Sequence, residues 1–142
     1  MPWSGDRAVT GRTIDRRAGA VQRGAMLIFK IFRRTEWNAL VAAGQTRGAP
    51  VDLADGYIHF STAAQVAATA ARHFAAESDL VLVAVDADRL DGALRWEPSR
   101  GGDLFPHLYR PLRMTDVVWD KSLPLGASGH IFPEGHLFEG QR

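Results

Sequence analysis

Hydrophobic and polar positions divide the chain into a patternless opening and a patterned remainder. From Met26 the order is clear. Leu27-Ile28-Phe29-Lys30-Ile31-Phe32 is a β-rich run closed by Arg33-Arg34, and Thr35 starts a helix carrying Trp37, Leu40 and Val41, with Gly44 at its end. A Gly-, Pro- and Asp-containing loop is expected from Gly48 to Gly56, followed by a short strand, Tyr57–Ser61. Thr62 then caps a second helix, Ala63 to about Ala76, with Ala63, Val66, Ala67, Ala70 and Phe74 on one stripe. Leu80–Val85 is apolar on both faces and reads as a central strand. Leu94–Glu97, Phe105–Tyr109 and Val117–Asp120 read as three further strands, with Gly101, Gly102 and Pro111 punctuating them. Strand–helix units followed by strands predict an α+β domain, with a mixed, mostly antiparallel curved sheet and two main helices.

Alternation within strands then places side chains. In Tyr57–Ser61, Ile58 and Phe60 share one face, so Tyr57, His59 and Ser61 share the other. By the same rule Phe105, His107 and Tyr109 align, as do Arg95 and Glu97 opposite Leu94 and Trp96. His73 falls at the edge of the packed helix stripe. Rings near a few polar groups suit a flat ring ligand. Each set also has a plain structural role open to it: a satisfied histidine, or a solvated Arg95–Glu97 pair.

Composition narrows the classes. At 142 residues the chain allows one domain, which we expect to span residues 26–142. Zero cysteines exclude disulfides, thiolate metal sites and a cysteine nucleophile. The longest apolar run, Leu80–Val85, is far short of a membrane span, so no membrane association is expected and the chain is placed in the cytoplasm. The net charge of +1 hides an asymmetry: residues 1–25 carry +3 and the remainder −2. A mildly acidic domain argues against nucleic acid as a partner. No close His-x-His or His-x-x-x-His pair seeds a metal site, so none is expected. Ser61 lacks a nucleophile elbow, and no glycine-rich phosphate cradle follows a strand.

The run Asp52-Leu53-Ala54-Asp55-Gly56-Tyr57-Ile58-His59-Phe60-Ser61-Thr62 carries a resemblance. So do the triplet Arg72-His73-Phe74, the triplet Arg95-Trp96-Glu97 and the run Gly102-Asp103-Leu104-Phe105-Pro106-His107-Leu108-Tyr109. Together they resemble the small bacterial family catalogued as domain of unknown function 952, over about Met26 to Pro133. The fold of that family resembles the ADP-ribosyltransferases, which split NAD between nicotinamide and ribose, and fold analogy alone is a limited functional warrant. Ile58 to Thr62 looks like the ADP-ribosyltransferase strand that ends in Ser or Thr and leads into a helix. Tyr57, Phe105 or Tyr109 matches the ring that sandwiches nicotinamide, and Glu97 the late-strand glutamate at the ribose. The early strand departs from the pattern: Phe29-Lys30-Ile31-Phe32-Arg33 has neither His nor Arg at its centre, with His59 as a substitute.

The resemblance implies NAD or a related nucleotide as substrate or ligand. With the residue pattern, it places catalysis at Glu97 and His59, and binding at Tyr57, Ser61, Thr62, His73, Phe105, His107 and Tyr109, with Arg100 and Asp103 on the glycine-flanked loop at the mouth. A non-catalytic small-ligand pocket and a protein-interaction module stand as alternatives.

Residues 1–25 contain Gly5, Gly11, Gly19 and Gly24, no apolar stretch of signal-peptide length and no periodicity, so they are expected to form a loose tail. A chain starting at Met26 should therefore keep its melting temperature. A fall of more than roughly 4 °C, the scale of 1 kcal/mol, would show instead that the tail packs.

Overall fold

The computed structural model describes residues 26–133, so the expected tail and residues 134–142 lie outside the described residues. The chain order begins β1 (Leu27–Arg33), α1 (Arg34–Ala43), β2 (Gln45–Thr46), α2 (Pro50–Asp55), β3 (Ile58–His59), α3 (Val66–His73) and β4 (Leu80–Asp86). It continues β5 (Leu94–Pro98), β6 (Leu104–Leu108), β7 (Leu112–Arg113), β8 (Val117–Leu123), β9 (Leu125–Gly126) and β10 (Gly129–His130). This is an α+β architecture. No helix among the described residues is long and apolar enough to cross a membrane.

Two three-stranded sheets dominate, ordered β1-β4-β8 and β3-β6-β5. The run Leu80–Val85 is indeed central, and every residue of β4 is buried. Its alternate side chains feed two cores. Val81, Val83 and Val85 pack with Trp37 and Leu40 of α1 and with Ile58 and Leu108 of the second sheet. Leu80, Leu82 and Ala84 pack with Phe29, Ile31, Val66 and Ala70, placing α3 on the opposite face. The two sheets are joined at one rung, where Phe29 and Ser61 exchange backbone hydrogen bonds of 2.7 and 2.8 Å.

Three expectations need correction. The sheet is not mixed: all strand pairings among the described residues are antiparallel. The expected loop from Gly48 to Gly56 contains α2, a third helix with Pro50 in its first turn. Asp52 accepts from the Ala49 N–H in the manner of a capping box, and Gly56 ends the helix left-handed at φ 89°. The helix expected from Ala63 begins at Val66, after a turn in which the Gln65 and Val66 N–H groups both donate to the Thr62 carbonyl. Its buried stripe is therefore Val66 and Ala70, flanked by Ala63 and Phe74, while Ala67 is exposed.

Truncating the central strand should be costly. Leu82 is fully buried, so Leu82→Ala should lower unfolding free energy by about 3 kcal/mol, read from the urea midpoint. Val41→Ala, on an exposed side chain of α1, should change it by roughly 0.5 kcal/mol or less. Equal losses would contradict this division between core and surface.

Candidate functional site

Register brings the site together. β3 pairs with β6 so that Ile58 faces Leu108 and His59 faces His107. Alternation sends Ile58 and Leu108 into the core and leaves the two imidazoles side by side, ring centres 5.4 Å apart. They line a cavity of about 680 Å³ beside the open edge of β1. Phe29, Ile31, Phe60, Val66, Phe74 and Phe105 supply most of its apolar wall. Its polar and charged residues are Lys30, Arg33, Asp55, Ser61, Thr69, His73, Ser99 and the two histidines. Arg33 holds Glu77 through two contacts of 2.8 and 3.0 Å and lies over the Phe74 ring. The Ser61 and Thr69 hydroxyls hydrogen-bond each other at 2.8 Å.

The carboxylate of Asp52 organises the floor. It is 1% exposed, and its oxygens accept from the Ala49 N–H (2.7 Å), the His59 N–H (3.1 Å) and His59 Nδ1 (2.6 Å). Lys30, one of two lysines in the chain, brings its ammonium to 3.0 Å from Asp52 and also donates to the His59 carbonyl. Burial pushes the Asp52 carboxyl up. The His59 hydrogen bond, the Lys30 charge and the two backbone N–H groups outweigh it and hold the carboxyl down at about 2. Gly48, at φ 107°, passes so close that a Cβ there would run into the Asp52 side chain. His59 is gripped at both nitrogens, because Nε2 lies 3.0 Å from Asp55. Both nitrogens can donate together only from a doubly protonated ring.

His107 is held differently. Its Nδ1 meets Glu97 Oε1 at 2.7 Å, and the Tyr109 hydroxyl donates to the same oxygen at 2.8 Å. Hydrogen bonds from His107 and Tyr109 lower the Glu97 carboxyl, and that with Glu97 raises the Tyr109 hydroxyl. Tyr57 stacks on the His107 ring at 4.2 Å, and Arg95 lies over the Tyr109 ring. Glu97 thus pairs with His107 and Tyr109.

The sequence-derived residues consequently divide. His59, Ser61, His73, Phe105 and His107 line the large cavity. Glu97 sits behind His107, while Tyr57 and Tyr109 line a separate cavity of about 360 Å³ together with Arg47 and Arg110. Thr62 and Asp103 line neither. Thr62 donates its N–H to the Gln65 side chain, and the Asp103 carbonyl accepts from Ser99. The side chain of Arg100 lies outside the described residues. Sequence reasoning missed Lys30, Asp52 and Asp55. A signal for Asp52 was present: Pro50 followed two residues later by an acid marks a helix start. No group of three or more His, Asp or Glu side chains among the described residues is placed to hold a metal ion.

Comparison with known proteins agrees on kind and is silent on chemistry. A family model described as "Protein of unknown function (DUF952)" matches residues 31–120. The crystal structure of protein CC0527 from Caulobacter crescentus is 50% identical and has a TM-score of 0.72, covering 74% of this chain and 92% of that one. The solution NMR structure of CC0527 is likewise 50% identical, with a TM-score of 0.67 and coverage of 73% and 90%. No curated protein matches.

The Asp52 contacts generate a pH dependence. The carboxyl is lower in the folded chain than its ordinary 3.8, so its stabilisation is full above about pH 4 and is lost as pH falls through 2. That loss should amount to about 2 kcal/mol between pH 5 and pH 2. In Asp52→Asn it should be missing, with lower stability already at neutral pH. Parallel pH dependences for the two chains, from urea midpoints, would refute the assignment.

Proposed function

From the premise that the chain belongs to the DUF952 family, we propose that the cavity beside β1 binds NAD or a related nucleotide and cleaves it at the nicotinamide–ribose bond. The observation that carries this reading is the His59–His107 pair, set side by side on an otherwise largely apolar cavity of ligand size. Ligand pockets of this kind hold a ring by apolar contact and orient it with a few convergent polar groups. Phe29, Phe60 and Phe105 suit the ring.

The open edge of β1 adds a second support. Phe29 directs both backbone groups to Ser61. Alternation in an antiparallel ladder turns the N–H and C=O of Ile31 the same way, where Ile31 lines the cavity. A carboxamide takes that pairing of donor and acceptor. The likeness to ADP-ribosyltransferases belongs to this proposal, with one change of role. Glu97, which the resemblance puts at the ribose, is separated from the cavity by His107, so in our reading the imidazole meets the ligand and the carboxylate supports it. The buried Lys30 occupies the centre of the first strand, where that resemblance has a His or Arg.

Thermal unfolding with NAD, ADP-ribose and nicotinamide tests the reading. Ligand at 100 times its dissociation constant adds about 2.7 kcal/mol, a rise of several degrees. Phe105→Ala should weaken NAD binding roughly tenfold, because ring contact exists in the ground state. No shift with any of the three ligands would exclude a nucleotide site.

A further inference from the structure

We propose that His107 is the catalytic base of this cavity, and that Glu97 and Tyr109 are positioning residues fixing its tautomer; the inference rests on the nucleotide-cleaving reading above. The His107 side chain is only 3% exposed, and its Nδ1 is taken by Glu97. An ionised carboxylate accepts, so Nδ1 carries a proton, and in the neutral ring the lone pair is on Nε2. Nε2 has no protein partner among the described residues, and His107 is one of the residues that line the cavity. His59 cannot serve in this way, since carboxylates engage both its nitrogens. The two imidazoles are thus set for opposite duties. One keeps a nitrogen without a protein partner among the described residues, and the other has carboxylates at both of its nitrogens.

The step balances without a further reagent. Water attacks the ribose carbon, and its O–H proton passes to His107 Nε2 as the new C–O bond forms. The C–N bond to nicotinamide breaks, and its electron pair neutralises the ring nitrogen of the leaving nicotinamide. ADP-ribose, nicotinamide and one proton result, and the proton leaves His107 for solvent. Glu97 holds the imidazolium formed at this point, as a carboxylate behind a histidine does in general acid–base sites.

Nicotinamide release and NAD calorimetry should be measured together on the full chain, across pH, for wild type, His107→Gln and Glu97→Gln. The charged groups around the ring are Glu97 and Arg95 on β5, His59 on β3 with Asp52 and Asp55 behind it, and Lys30 on β1. His107→Gln should cut release roughly 100-fold or more, with NAD affinity kept within about threefold, and should abolish the acid limb of the rate profile. Glu97→Gln should lower kcat roughly tenfold at unchanged KM, and nitrogen NMR of the ring should show the Nδ1–H preference weakened. Wild-type rates in His107→Gln would overturn the inference and leave the binding site standing. So would binding without release in the wild type, whereas absence of NAD binding would overturn both readings. Should His107→Gln fail to fold, Glu97→Gln decides, and an unchanged rate and pH profile there would overturn the inference.

Discussion

A single buried carboxylate sets the terms for the rest of the molecule. Asp52 lies in the first turn of a six-residue helix, yet it binds Lys30 from β1 and both the backbone and the ring of His59 from β3. A buried charge is tolerated only when it is paired and its lone pairs are filled, and four donors do so here. The same contacts decide where α2 sits and therefore where the cavity has a wall. Ala49, Pro50 and Val51 line the cavity from the start of this helix, so its shape depends on an electrostatic tether that ties α2 and the adjoining β3 to β1, more than twenty residues earlier.

Much of this was legible in the residue pattern. A six-residue run with no polar position has nowhere to go but the middle of a covered sheet, and Leu80–Val85 is there. The alternation around Ile58 and Phe60 likewise predicts that His59 and Ser61 face away from the core, and both line the cavity. What alternation cannot supply is the neighbour across a ladder. Glu97 and His107 lie on adjacent strands, offset by two residue pairs: Glu97 pairs in register with Phe105, and Arg95 with His107. That offset follows from the Ser99–Asp103 turn, whose Gly101 and Gly102 adopt positive φ, and it puts the carboxylate behind the imidazole.

Short elements were the harder case. With Gly48, Pro50 and Gly56 around it, α2 has too few turns to show a period, and its residues look like a loop until tertiary contacts hold them. Alternation puts Phe105, His107 and Tyr109 on one face, but sharing a face is not sharing a cavity: the first two line the large cavity and Tyr109 the small one. The Tyr57 ring covers His107 from one side and turns its other surface to the smaller cavity. A wall one side chain thick is invisible to a periodicity argument.

The single rung between Phe29 and Ser61 also bears on how the chain avoids its own kind. Unpaired strand edges recruit strands from neighbouring molecules, and natural sheets blunt them with charge or cover. The outer edge of β8 displays exposed Asp120 and Lys121, which resist such pairing. The outer edge of β1 has no comparable line of charge, since Leu27 to Phe32 are all buried. It is closed by one rung at Phe29, and beyond that rung it lies inside the cavity, where a second chain cannot lay a strand alongside it. The cavity thereby keeps an apolar edge out of reach of edge-to-edge aggregation.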